Sequence, residues 1–281
     1  MDRRSFVKTL GAAGLAALPS SRLKAEETEE QKEFVGMLVD TTYCVGCRTC
    51  EFTCAEVNGF PEPDPDDSVF EKTRKTSTTQ YSLVNRFDVE GNEIFVKTQC
   101  MHCNQPACAS ACLTSAMLKT EEGPVIWRED KCMGCRYCML SCPFDVPKYE
   151  YNEWNPKVRK CNLCWSRLKE GEIPACAEAC PAEAIKFGKR SELLEEAKSR
   201  IYTDPDSYYH HIYGEHEAGG TGYLYLSSVP FEKIGFKPNV GTTPYPEYTQ
   251  DFLYAVPIIL ALWPPLLLAL NKATKKEDEE I

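Results

Sequence analysis

The chain has 281 residues, 26% of them charged and 43% hydrophobic, and carries a formal charge of −10. That length allows one large or two small domains plus appendages, and an acidic body without a basic aromatic groove excludes nucleic acid as a partner. Sixteen cysteines far exceed ordinary usage, and any function must account for them.

The chain opens Met1-Asp2-Arg3-Arg4-Ser5-Phe6-Val7-Lys8, then runs mildly apolar and Gly/Ala-rich from Thr9 to Pro19. Consecutive arginines followed by Phe and Lys have the form of a twin-arginine export signal over residues 1–25. Ala25 suits a cleavage point and Leu23 does not, so removal of the signal is left open. Its loss would take five basic residues and one acidic residue and move the charge from −10 to −14.

After an acidic linker from Glu26 to Glu33, Val35 to Val39 predicts a short strand leading into the first cysteine group, Cys44, Cys47, Cys50 and Cys54. Residues 58–79, rich in Pro, Asp and Thr, predict an irregular surface excursion. Tyr81–Phe87 and Glu93–Lys97, joined through Glu90-Gly91-Asn92, predict a hairpin. The second group is Cys100, Cys103, Cys108 and Cys112. Glu122-Gly123-Pro124 then marks the turn of a second short hairpin. The third group, Cys132, Cys135, Cys138 and Cys142, is closed by Pro143. Tyr149, Tyr151 and Trp154 follow in a polar, aromatic stretch expected to act as a cover. In the fourth group, Cys161, Cys164, Cys176 and Cys180, the run from Trp165 to Ala175 is expected to be an inserted loop.

Leu193, Leu194 and Ala197 recur at helical spacing and predict a helix over Ser191–Arg200. His210, His211 and His216 lie among glutamates without HExxH geometry and are taken as a polar loop rather than a metal site. Tyr223–Val229 predicts a strand, and Pro230–Tyr248 a connector punctuated by proline and glycine. Phe252–Leu270 is 19 residues without a charge, which as a helix covers about 28 Å, close to the hydrocarbon thickness of a bilayer. Pro257, Pro264 and Pro265 would break a soluble helix but are tolerated in a membrane beside a partner. Lys272, Lys275 and Lys276 follow and place the tail in the cytoplasm.

The four cysteine groups share an opening gap of two residues and a closing gap of three, while the middle gap is two, four, two and eleven. Three thiolates from a short loop and a fourth donated to the neighbouring site are the pattern of ferredoxin-type cubane clusters. Zinc knuckles leave the third and fourth spacing without a role. Disulfides are the usual reading of an even count in an exported chain, but a chain of this size and ordinary core composition does not need eight of them. No C-x-x-C is followed by His, which disfavours covalent haem.

Four [4Fe-4S] clusters are therefore expected. The compact link between the second and third groups suits the two halves of one module, which leaves the first and fourth groups to form the other. The expected sites are Cys44, Cys47, Cys50 with Cys180; Cys161, Cys164, Cys176 with Cys54; Cys100, Cys103, Cys108 with Cys142; and Cys132, Cys135, Cys138 with Cys112. The fold expected is α+β: two nested ferredoxin-like 2[4Fe-4S] modules with insertions and one C-terminal transmembrane helix. Residues 34–98 and 155–190 form the first module and 99–154 the second. A cap and connector over 191–250, a span over 251–271 and a cytoplasmic tail over 272–281 complete it. Arg48, Arg136, Arg159 and Lys160 lie beside ligands in sequence and are expected to raise nearby cluster potentials.

The twin-arginine start, Cys44-Val-Gly-Cys47-Arg-Thr-Cys50, Cys132-Met-Gly-Cys135-Arg-Tyr-Cys138, Gly219-Gly220-Thr221, Val229-Pro230-Phe231-Glu232 and the C-terminal apolar run resemble the four-cluster iron–sulfur subunits of respiratory complexes. Within these, the chain is most similar to the iron–sulfur subunit of the high-molecular-weight cytochrome (Hmc) transmembrane complex and of membrane-bound hydrogenase 2 (the HybA-like branch). The cysteine pattern alone also fits the iron–sulfur subunits of molybdopterin oxidoreductases of the formate dehydrogenase and polysulfide reductase type.

The resemblance implies an electron-transfer subunit with no substrate-converting site, on the periplasmic face of the cytoplasmic membrane, and the same nested pairing. Its implied partners are a polytopic quinone-interacting membrane subunit and a multihaem cytochrome c, hydrogenase or molybdenum catalytic subunit. Export of a pre-folded cluster protein agrees with a twin-arginine signal.

Overall fold

The structure, a computed structural model, describes residues 33–154 and 156–278; the export signal expected over residues 1–25 lies outside them. From the chain's start the elements are β1 (Val35–Asp40), α1 (Thr49–Asn58), β2 (Leu83–Val89), β3 (Asn92–Thr98), α2 (Ala107–Ser110), β4 (Met117–Lys119), β5 (Val125–Trp127), α3 (Tyr137–Leu140), β6 (Lys148–Tyr149) and β7 (Val158–Arg159). Then come α4 (Trp165–Lys169), α5 (Ala175–Glu178), β8 (Ile185–Lys189), α6 (Arg190–Thr203), β9 (Tyr223–Leu226) and α7 (Glu247–Asp278).

β1 is the middle strand of a three-stranded sheet. It pairs antiparallel with β8, Met37 opposite Phe187, and parallel with β9, Met37 opposite Tyr223. The period of two in a strand sorts its side chains onto opposite faces. Leu38, Leu224 and Leu226 pack with Leu193 and Ala197 of α6. Met37, Val39, Tyr223 and Tyr225 face the other way, into a core shared with Cys50, Leu163 and Cys176. Each buried leucine contributes roughly 2 kcal/mol of transfer free energy, so α6 is held by apolar burial while the opposite face backs the cysteines.

Both expected hairpins and the helix after β8 are found where the sequence pattern put them. β2 and β3 form the expected hairpin, Val89 opposite Asn92, and its two turn residues, Glu90 and Gly91, have φ of 58° and 84°, as a tight two-residue loop requires. β4 pairs with β5, and the expected helix over Ser191–Arg200 is α6. Three expectations are corrected. The run Trp165–Ala175 is not all loop, because its first five residues form α4. The strand at Tyr223 stops at Leu226 rather than Val229. The C-terminal helix begins at Glu247 and runs unbroken through Pro257, Pro264 and Pro265.

Each helix that follows one cysteine loop packs on the helix of another: α1 on α5, and α2 on α3. α7 carries exposed Phe252, Leu253, Ile258, Leu262, Trp263 and Leu266. Its section Glu247–Thr274 is long and apolar enough to cross a membrane, covering about 42 Å as a helix.

Candidate metal centre

All sixteen cysteines are free thiols, so the disulfide alternative is not what this fold builds. In each of the four loops the residue before the second cysteine has a left-handed backbone: Gly46 at φ 71°, His102 at 50°, Gly134 at 72° and Leu163 at 55°. Arg48 and Arg136, just after the second cysteine, repeat the conformation at 59° and 62°. Left-handed residues in a tight loop can turn neighbouring N–H groups to one side and make a concavity that favours an anion. The motif C-x-G-C-R is thereby explained, since glycine meets this need without steric cost and arginine accepts the strain at the helix start.

One cavity is lined by Cys44, Cys47, Cys50 and Cys180 together with Val39, Val84, Ile185 and Lys97. A second is lined by Cys112, Cys132, Cys135 and Cys138 with Met117, Trp127 and Val158. Around the remaining sulfurs, Cys54 has Cys176 and Cys164 as charge neighbours, while Cys103 has Cys100, Cys142 and Cys108. The third cysteine of each group sits in a helix. Cys54 also lies within α1, but Cys112, Cys142 and Cys180 lie two residues beyond one-turn helices.

Burial dominates the thiols. It pushes Cys54 and Cys108 up to about 12 and Cys138 to about 11, and raises Cys50, Cys103 and Cys161 as well. Cys112 goes the other way: its burial is outweighed by the Met117, Thr114 and Ala116 N–H groups. Buried sulfurs of this kind become thiolates when a metal takes the place of the proton.

The residues fit a cubane. A cubane takes one thiolate at each of four corners, and two of the cavities are each lined by four cysteines. The buried Tyr223 hydroxyl and His102 Nε2 have no protein partner, and Tyr223 has Cys176, Cys161 and Cys164 as neighbours. His102 Nδ1 accepts from the Val125 N–H at 2.9 Å, so Nε2 carries the proton. The Tyr223 hydroxyl is a donor among sulfurs, where a buried donor needs an acceptor.

The polar residues flanking the ligands behave differently from their sequence positions. Arg48 pairs with Glu51 at 3.2 Å and Arg159 with Glu150, so their charge is met by carboxylates. Arg136 lies over Tyr149 and Tyr151. Lys160 is buried and donates to the Val125 and Cys161 carbonyls. Lys97, which no sequence signal marked, is buried against the cysteines of two groups.

Gly219-Gly220-Thr221 also gains a role. The Asn104 N–H donates to the Gly220 carbonyl, and the Gly222 and Tyr223 N–H groups donate to the Met101 carbonyl, strapping the second cysteine loop to β9. Arg190 fixes the strap through the Thr221, Gly214 and Glu215 carbonyls. The three histidines have separate partners: Pro205 O for His210, Glu217 for His211 and Glu215 for His216.

Residues 92–190 match the family of 4Fe-4S dicluster domains. Over 99% of its length the chain is 44% identical to a protein of Nitratidesulfovibrio vulgaris, covering 78% of that chain. It is 36% identical to the hydrogenase-2 operon protein HybA of Escherichia coli O157:H7, across 100% of this chain and 98% of HybA. It is 32% identical to the iron–sulfur subunit of the nitrate-inducible formate dehydrogenase of Escherichia coli K12, with 71% of this chain and 70% of the relative aligned. With these relatives and sixteen free cysteines lining its loops, the chain belongs to the HybA-like family of ferredoxin-type electron-transfer iron–sulfur subunits and binds multiple [4Fe-4S] clusters.

Proposed function

We propose that the chain holds four [4Fe-4S] clusters in two nested modules and relays electrons between a catalytic subunit or multihaem cytochrome c and a quinone-interacting membrane subunit. The observation that carries the reading is that Cys180 shares a cavity with Cys44, Cys47 and Cys50, although it is 130 residues past Cys50 in the chain. Cys112 keeps the same relation to Cys132, Cys135 and Cys138. The sites follow one another: Cys50 and Cys54 both neighbour Cys176, Cys161 neighbours Cys100, and Cys108 neighbours Cys138. The order is thus the Cys44, Cys161, Cys100 and Cys132 sites.

When bound, the clusters supply one-electron carriers. The chain's residues hold the thiolates, exclude water and set the local charge. Only two cysteines are exposed, Cys47 and Cys135, and they belong to the two ends of that order. Tyr43 and Val45 are exposed beside the first, and Leu113, Met133, Tyr137 and Leu140 beside the second, as surfaces for partners at each end. Tyr245, just before α7, and Leu253 and Tyr254 in its first turns line a hollow with Ala107, Ser110, Ala111 and Ser141. This supports a membrane-side position for the second module beside a spanning α7; the periplasmic body and the cytoplasmic tail of this reading rest on the Arg3-Arg4 start and on Lys272, Lys275 and Lys276 in the sequence. The catalytic partner on this reading is a hydrogenase or a molybdenum enzyme of the formate dehydrogenase kind, in line with the relatives. On this reading the chain carries electrons and the conversion of substrate belongs to its catalytic partner, as the iron–sulfur subunits among its relatives suggest.

Iron and sulfide analysis of protein isolated anaerobically from membranes tests the reading. About sixteen irons per chain are expected; about eight, or zinc in their place, would overturn it.

A further inference from the structure

Lys97 is the penultimate residue of β3, three residues before the second cysteine group, and is 2% exposed. Its ammonium donates to Gln99 Oε1 at 2.8 Å and stands 5.5 Å from the centre of the Tyr223 ring. Gln99 donates to the Tyr225 hydroxyl, which donates to the Lys97 carbonyl at 2.9 Å. The network therefore closes on Lys97 itself without a carboxylate, and no Asp or Glu pairs with the ammonium among the described residues.

Sulfur surrounds it instead. Lys97 lines the cavity of Cys44, Cys47, Cys50 and Cys180, and its strongest charge neighbours are Cys176, Cys50, Tyr225 and Cys161. Cys54 and Cys164, on the second site, feel it as well. An ammonium taken out of water without a counter-charge is strongly disfavoured. The anions available to this one are the thiolate-ligated cubanes of two adjacent sites. A fixed positive charge between them favours whichever oxidation state is more negative, which is the reduced one.

We infer that Lys97 is a positioning residue, the shared counter-charge of the clusters held by Cys44, Cys47, Cys50, Cys180 and by Cys54, Cys161, Cys164, Cys176, and that it raises the reduction potential of both. This rests on the four-cluster reading. It separates Lys97 from Arg48 and Arg159, whose charges are met by carboxylates.

Redox titration of the full chain in its membrane complex, followed by electron paramagnetic resonance, tests it. In Lys97→Met, two of the four midpoints should fall, each by tenfold or more in the reduction equilibrium, which is 59 mV for a one-electron couple. The other two should stay in place. Full iron with all four midpoints unchanged, or an equal fall in all four, overturns the inference and leaves the four-cluster reading intact; wild-type protein short of iron overturns that reading instead. Should Lys97→Met fail to load its clusters, Gln99→Glu decides. A carboxylate beside the ammonium cancels its field, so the same two midpoints should fall, and their constancy would overturn the assignment.

Discussion

The ring of Phe95 stands where a side chain on Gly46 would begin: a Cβ there would meet the ring carbons at 2.5 Å. Gly134 holds the equivalent place in the third loop with nearly the same φ, 72° against 71°, yet a Cβ on it meets nothing nearer than the Tyr149 hydroxyl at 3.6 Å. Alanine at either position carries the left-handed penalty, about 1–2 kcal/mol. Only Gly46→Ala adds overpacking, about 1–3 kcal/mol more. Thermal loss of cluster absorbance should therefore come earlier in Gly46→Ala than in Gly134→Ala, and equal midpoints would show that Phe95 yields freely.

Glu51 is 1% exposed and gathers Arg48, Arg74, Gln80 and the Val84 N–H on one carboxylate. It ties the first cysteine helix to the hairpin that carries Lys97. Glu51→Gln keeps the shape but leaves two guanidinium groups without their counter-charge, which for a buried pair costs about 3–5 kcal/mol. A guanidinium titration of the holoprotein should show that loss, and a change below about 1 kcal/mol would mean that water reaches the two arginines.

These relations mark the limit of what the sequence disclosed. The cysteine spacing, both hairpins and α6 are local patterns, readable because period and turn chemistry act over a few residues. Glu51 and Val84 are 33 positions apart, and Lys97 reaches its cysteines only once the hairpin folds over the first loop. Neither residue has a local signature, since a lysine on a hairpin strand ordinarily points to water. Conversely, Arg48 and Arg159 adjoin ligands in sequence, while their guanidinium groups pair with Glu51 and Glu150. The run after Cys164 lacked helical periodicity because α4 is only five residues long.

If Cys180 completes the first site, Cys180→Ser and Cys44→Ser should remove the same paramagnetic signal and leave the signal lost in Cys54→Ser and Cys176→Ser untouched. Iron should fall by up to about four per chain in each single variant. Loss of one shared signal in Cys180→Ser and Cys176→Ser would replace the nested pairing with a local one.

Acid should weaken the contact between α6 and β8 before it reaches the cysteines. Burial raises the Glu196 carboxyl, but hydrogen bonds from Lys186 and Arg200 outweigh it and hold it below the usual carboxylate range. A carboxylate depressed in the folded state contributes stability that is present above its unfolded value, near pH 4.5, and is lost as pH falls through the folded value. Glu196→Gln should flatten that acid limb and leave stability at pH 10 relative to pH 7 unchanged. The pair is partly exposed, so its worth is below about 1 kcal/mol. An unchanged acid limb in the variant would assign the pH dependence to other carboxylates.

The apolar face of α7 should decide how the chain is held to membranes. Phe252, Leu253, Leu260, Trp263 and Leu268 are each more than half exposed, and exposing so much apolar surface on a soluble helix invites aggregation. Three prolines remove internal hydrogen bonds that only a partner or water can replace. The full chain should therefore stay with membranes through an alkaline carbonate wash, whereas a chain ended at Pro246 should be released with its clusters intact, because the cysteine loops close among residues 44 to 180 and the strap over them ends with β9. A truncated chain that still sediments after the wash would assign attachment to the exposed rim around Cys135 rather than to the helix.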